Sequence, residues 1–228
     1  MTGHFVQETP KATDNTVSEP ETYGAAAADA ALVIYGVHGR GQSPAFIREL
    51  ADRVGQLDQL RWVMPAAPEN SWYPAGFMAS FEENEPFLGD ALKTVERHLG
   101  ELLGSPAPVV ALGFSQGACL LAEYLLTARP AVDGIVLHTG GYLGPDHRTF
   151  HSEPGFAGTP AAVLTAREDA WVPLHRSEET AEELTAAGAK VTLTVYEDTE
   201  HHINDDAVDR IRELLKQVTT PVPKNADK

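Results

Sequence analysis

Along residues 31–218, short runs of apolar side chains alternate with longer stretches in which apolar positions return every three or four residues. The short runs are rich in Val, Ile and Leu and predict buried strands, whereas the longer ones predict helices with one apolar face. Strands are expected over 31–37, 61–64, 109–112, Gly134–His138, 161–165 and 191–196. Helices are expected over Pro44–Val54, 86–103, Gln116–Ala128, 173–187 and 205–218. Pro44, Pro86 and Pro173 stand where three of these helices begin, a position that tolerates a missing N–H. Gly188 follows the fourth helix where a C-terminal cap is wanted.

Strands that alternate with helices imply right-handed βαβ units. The expected fold is therefore α/β, a doubly wound and mostly parallel sheet of about six or seven strands with helices on both faces. Residues 31–218 read as one such domain without a large lid insertion. Residues 1–30 are polar and carry Pro10 and Pro20, so they read as a mobile arm; residues 219–228, with Pro221 and Pro223, read as a loose tail. Ligands of such sheets bind outside the carboxyl ends of the strands, so the segments that follow strands carry the functional information.

Charge narrows the choice of partner. The 33 acidic and 17 basic residues give a net charge of −16, a surface that repels nucleic acid and anionic membranes. The acids fall in short groups such as Glu178-Glu179 and Glu182-Glu183, which fits solvated helix faces or a surface adapted to high salt. Cys119 is the single cysteine, so no intramolecular disulfide forms; it reads as a small core residue. No run has the length of a transmembrane helix, and no basic segment leads into an apolar one at the N-terminus, so a cytoplasmic location is expected.

The third strand leads into Gly113-Phe114-Ser115-Gln116-Gly117, and a helical pattern follows. Strand, sharp turn and helix around G-x-S-x-G are the setting of a nucleophilic serine. The first strand leads into His38-Gly39-Arg40-Gly41. A developing oxyanion needs two N–H donors, and the backbones of Arg40 and Gln116 are placed to supply them. A glycine-rich turn without special function is the plainer reading of that loop. His38 reads as a histidine that fastens the loop, and the Arg40 side chain as the partner of a neighbouring carboxylate or of an acidic substrate group.

The long loop after the second strand holds Trp72, Tyr73, Phe77, Met78 and Phe81, which suit either a pocket wall or a small satellite core. Asp169 follows the fifth strand, either as a catalytic acid or as a cap for the next helix. His201 and His202 follow the sixth. His147 and His151 read as surface histidines, and no metal site is expected. Serine, then acid, then histidine, each after a separate strand, is the order of an α/β-hydrolase. Imidazole near neutral pH can take the serine proton, and the aspartate orients it.

These motifs resemble the phospholipase/carboxylesterase family of α/β-hydrolases, which includes acyl-protein thioesterases. The resemblance runs from about residue 31 to residue 218. It rests on His38-Gly39-x-Gly41, Ala67-Pro68 through Ser71-Trp72-Tyr73, Gly113-Phe114-Ser115-Gln116-Gly117-Ala118, Glu168-Asp169-x-x-Val172-Pro173 and His201-x-Ile203. It implies Ser115 as nucleophile, Asp169 as acid, His201 rather than His202 as base, and Arg40 and Gln116 as oxyanion donors. Arg40 departs from the small or apolar residue of many relatives, and Glu200 from their glycine. The expected reaction is hydrolysis of a small-molecule ester with a small or medium acyl chain, without a cofactor, by a monomer or homodimer. Trp72, Tyr73 and Phe77 are the expected substrate-binding residues. A thioesterase or lysophospholipase for long acyl chains, and a non-catalytic binding protein on the same scaffold, are the alternatives.

Overall fold

The computed structural model describes residues 19–55, 59–150 and 155–220. The chain runs β1 (Glu21–Gly24), β2 (Leu32–Val37), α1 (Pro44–Val54), β3 (Leu60–Met64), α2 (Phe81–Asn84), α3 (Phe87–Leu103), β4 (Val109–Phe114), α4 (Gln116–Ala128), β5 (Gly134–His138), β6 (Pro160–Ala166), α5 (Leu174–Ala186), β7 (Lys190–Tyr196) and α6 (Asp205–Thr219). The seven strands form one sheet in the order β1-β3-β2-β4-β5-β6-β7. Every neighbouring pair is parallel except β1 with β3.

Alternate residues of each strand serve opposite cores. Val33, Tyr35, Val109, Ala111, Ile135 and Leu137 face α3, α4 and α5. Leu32, Ile34, Val110, Leu112 and Val136 face α1 and α6. With both faces covered, the central strands read as unbroken apolar runs. Each fully buried aliphatic side chain contributes about 1.5–3 kcal/mol by leaving water. The expected doubly wound sheet is the one observed, and among the described residues no helix is long and apolar enough to cross a membrane.

Three local expectations are corrected. Residues 21–24 lie in the stretch read as a mobile arm, yet they form β1. The strand is polar and exposed, and its order comes from the free edge of β3: Glu21 pairs with Met64 and Tyr23 with Trp62. Tyr23 fastens it from one side, with the Arg48 guanidinium 3.8 Å from its ring centroid and its hydroxyl donating to Asp52 at 2.8 Å. Pro86 and Pro173 immediately precede α3 and α5 instead of opening them, whereas Pro44 does open α1. The long loop hides α2, whose first turn is closed by reciprocal bonds between Ser80 and Glu83. The remainder of the expected arm, from residue 1 to 18, the tail from residue 221, and His151 lie outside the described residues.

His138 ends β5, paired with Phe114 at the end of β4 and with Leu164 of β6. Its ring is buried, 5.6 Å from that of Phe114, and it shares a 3.3 Å hydrogen bond with Thr139. Burial, reinforced by the nearby His201 and His202, pushes its pKa down to about 3. The native imidazole is thus neutral where an unfolded one, near 6.5, takes up a proton. Between those values the unfolded chain binds more protons, so stability falls as pH falls, by up to about 1.4 kcal/mol per pH unit from this group. Buried His38 and His98, also lowered, act in the same direction. Urea unfolding followed between neutral pH and mild acid is expected to show a shallower loss for His138→Leu than for the wild type, and equal slopes would contradict this assignment.

Candidate active site

β4 ends at Phe114 and α4 begins at Gln116, so Ser115 alone makes the turn between them. Its backbone lies at φ 52° and ψ −121°, a conformation rare for any residue but glycine. The turn is pinned by the Ser115 N–H on the His138 carbonyl and by the Cys119 N–H on the Ser115 carbonyl, both at 2.9 Å. α4 also presses against the end of β2. A Cβ at Gly117 would lie 2.3 Å from the Val37 carbonyl oxygen and 2.5 Å from that of His38, so no other residue fits there without moving backbone.

The hydroxyl of Ser115 stands 2.7 Å from Nε2 of His201 and can donate to it. Nδ1 of the same ring donates to Oδ2 of Asp169 at 2.6 Å. The three residues follow β4, β6 and β7, and the common direction of these strands delivers them to one rim. The Asp169 side chain is fully buried. Burial alone would raise its pKa, but the bond from His201 and the N–H groups of Val172 and Trp171 outweigh it and hold the carboxyl below its usual range. Those two N–H groups both reach Oδ1, at 2.9 and 2.8 Å, so one oxygen shapes the loop and the other orients the imidazole. Asp169 is therefore no cap for α5, which is preceded by Pro173. Phe114 backs the His201 ring at 5.2 Å. His202 turns away to Glu200, at 3.3 Å.

His38 fastens the turn after β2. Its Nδ1 donates to the Gly39 carbonyl at 2.8 Å and its Nε2 accepts the Ala67 N–H at 3.2 Å. Gly39 abuts the serine, since a Cβ there would lie 3.0 Å from that of Ser115. Arg40 is next in this turn, and Gln116 is the first residue of α4, where N–H groups have no partner inside the helix. The Arg40 side chain meets no carboxylate; the residue is exposed, and its guanidinium bonds the carbonyls of residues 73–75.

A cavity of about 560 Å³ opens over Ser115 and His201. Tyr73 and Phe77 line it, together with Arg40. Trp72 does not, which corrects its expected role. It is buried behind the wall, donating through Nε1 to the His38 carbonyl at 2.8 Å and through its backbone to Gln116 Oε1 at 3.0 Å. Three wall residues, Cys119, Trp171 and Val172, escaped the sequence reading. Trp171 is 71 % exposed at the mouth of the cavity, and its place two residues after Asp169 was the available signal. Cys119 reaches the cavity floor as well as the core, and burial pushes its thiol up to about 12, so it stays protonated and unreactive. Among the described residues, no group of three His, Cys, Asp or Glu side chains is arranged to hold a metal, and His147 pairs with Glu179 at 3.3 Å.

A hydroxyl, an imidazole and a buried carboxylate in line beside an apolar cavity can perform acyl transfer. A sequence model of phospholipases and carboxylesterases matches residues 18–219. The chain belongs to the phospholipase/carboxylesterase family. A member of that family from Dyadobacter fermentans is 32% identical, with a TM-score of 0.81 over 88% of this chain and 98% of its own. Esterase PE8 is 20% identical at a TM-score of 0.72, covering 88% of this chain and 98% of its own. Acyl-protein thioesterase 2 from Zea mays is 15% identical at 0.70, covering 88% and 99%. The latter two share the fold. No curated protein matches the chain at a significant level. As a member of this family, the protein is a hydrolase of the esterase type.

The Gly117 contact predicts that Gly117→Ala costs about 3 kcal/mol or more, because both obstructing atoms are backbone. A urea unfolding curve measures this, and a loss below about 1 kcal/mol would mean that α4 slides freely on β2.

Proposed function

We propose that the protein hydrolyses carboxylic esters of small or medium acyl chains through an acyl-enzyme on Ser115. The observation that carries this reading is the continuous hydrogen-bonded line from Ser115 through His201 to Asp169, at 2.7 and 2.6 Å, beside the cavity. In the first step the Ser115 oxygen attacks the ester carbonyl carbon while His201 Nε2 takes the hydroxyl proton. The carbonyl oxygen becomes an oxyanion held by the backbone N–H groups of Arg40 and Gln116. Its collapse breaks the bond to the alcohol oxygen, which receives the proton from His201. Water then enters, gives a proton to His201 and attacks the acyl carbon. The second collapse releases the carboxylic acid and returns the proton to Ser115.

Asp169 supports both steps by holding the His201 tautomer and stabilising the imidazolium. The cavity of about 560 Å³ has the size of a small-molecule site, and its largely apolar wall suits a hydrocarbon chain. A small-molecule ester is the proposed partner, and the acidic surface speaks against nucleic acid.

Treatment with a fluorophosphonate is expected to place one adduct on Ser115 of the folded protein, located by mass spectrometry; an unlabelled Ser115 would point to a binding protein on a hydrolase scaffold. Across a series of nitrophenyl esters and acyl thioesters, efficiency is expected to peak between acetate and hexanoate. A maximum at palmitoyl would favour a long-chain thioesterase or lysophospholipase. Asp169→Asn is expected to lower kcat about 10⁴-fold, because the amide can hold the wrong tautomer. A loss below tenfold would remove Asp169 from the mechanism.

A further inference from the structure

The cavity wall from Tyr73 to Phe77 is irregular backbone, so its carbonyl and N–H groups have no strand or helix to satisfy them. Side chains do most of this, beside the Gly144 N–H on the Phe77 carbonyl at 2.8 Å and the Ala79 N–H on the Gly76 carbonyl at 3.1 Å. Buried Asn84 accepts the Ala75 N–H at 2.8 Å and donates to the Gly76 carbonyl at 3.1 Å. Gln116 accepts the Trp72 N–H at 3.0 Å and donates to the Tyr73 carbonyl at 2.8 Å. Ser71 Oγ donates to the same carbonyl at 2.9 Å, and Arg40 adds three bonds. Its Nη1 donates to the Pro74 carbonyl at 2.6 Å, and its Nη2 donates to the carbonyls of Tyr73, at 2.9 Å, and Ala75. The guanidinium thus spans three consecutive carbonyls, a task suited to a planar fork of donors and not to a single ammonium.

Two features set this contact apart from an ordinary surface arginine. Among the described residues Arg40 makes no ion pair, although the chain carries 33 acidic residues; its guanidinium turns to main-chain oxygens and lies 5.9 Å from the centroid of the Tyr73 ring. The Tyr73 carbonyl receives Ser71 and also Arg40 and Gln116, the two residues whose backbone N–H groups are assigned above to the oxyanion. Meanwhile the turn that carries Arg40 is fastened without its side chain. Gly39 N–H donates to Gln42 Oε1 at 2.9 Å, and Gly41 N–H donates to the Asn70 carbonyl at 2.7 Å.

We infer that the Arg40 guanidinium is a positioning residue that braces the 73–75 wall and thereby sets which acyl chains the cavity accepts. This rests on the ester-hydrolase reading above and names the side chain that limits its substrate range. Removing the guanidinium strips the Pro74 and Ala75 carbonyls of their donor, although Gln116 and Ser71 still hold that of Tyr73, and lets the wall retreat there, while every replacement except proline keeps the backbone N–H assigned above to the oxyanion. Selectivity and turnover therefore respond differently.

Arg40→Met and Arg40→Lys, prepared as full chains, test the brace. For Arg40→Met, kcat/KM on nitrophenyl acetate is expected to fall about threefold, and the ratio of decanoate to acetate efficiency to rise about tenfold, chiefly through KM for the longer ester. Arg40→Lys is expected to fall between the two, since an ammonium lacks the fork. Amide hydrogen exchange in 72–79 is expected to quicken in both variants. A parallel loss at every chain length, with the ratio unchanged within about twofold, would reduce Arg40 to a stabilising residue. A loss confined to esters bearing a free carboxylate would replace the brace with an anion contact. Unchanged exchange in 72–79 would overturn the brace outright. If Arg40→Met does not fold, Arg40→Lys and Arg40→Gln carry the same measurements. If the wild type neither cleaves esters nor takes the fluorophosphonate, the hydrolase reading fails, and the exchange experiment still decides whether the brace exists.

Discussion

A gap too small for one methyl group decides the geometry of this protein. Between the Gly117 backbone and the carbonyls of Val37 and His38 there is no room for a Cβ. The first turn of α4 can therefore come to rest against the end of β2, and only then does Ser115 stand beside the Gly39 turn. The strained backbone of Ser115 follows from the same closeness, because one residue must reverse the chain between a central strand and a helix already in contact with its neighbour. The sheet holds this strain: β2, β4 and β5 are buried along their whole length, and their parallel register leaves the elbow no freedom to relax.

Around that elbow the electrostatics are arranged against the character of the surface. The chain carries a charge of −16, yet the one carboxylate in line with Ser115 is fully buried and held by three donors. Asp169 is kept ionised by hydrogen bonds despite its burial, which makes it an orienting group instead of a proton reservoir. His138, at the end of β5, is kept neutral by the same burial. The pair illustrates one rule with opposite outcomes: low dielectric removes charge unless dedicated donors restore it.

How much of this was legible in the sequence depended on whether a feature is local. Ser115, Asp169 and His201 each follow a strand, and the strands announce themselves by apolar runs, so topology alone gathers the three residues at one rim. The doubly wound sheet was legible for the same reason. β1 was not, because its order is borrowed from β3 and from a Tyr23–Arg48 contact between residues 25 positions apart. The wall was only half legible. Trp72 and Tyr73 are adjacent aromatics in irregular backbone, with no period to say which faces inward; the Gln116 amide, 44 residues from Trp72 in sequence, decides that. Arg40 misled more subtly. Pairing rules for charged side chains look for an opposite charge, and its partners are main-chain carbonyls, which every residue has and no sequence pattern marks.

The three tryptophans divide the chain into two optical environments. Trp62 and Trp72 are 2 % exposed, while Trp171 is 71 % exposed at the rim of the cavity. Indole emission shifts to shorter wavelength as water leaves its surroundings, so the long-wavelength part of the intrinsic fluorescence belongs to Trp171. Because the Trp171 backbone N–H is tied to Asp169, that residue rides on the same turn that orients His201. The protein therefore carries one water-facing indole at the mouth of the site and two shielded ones in its core.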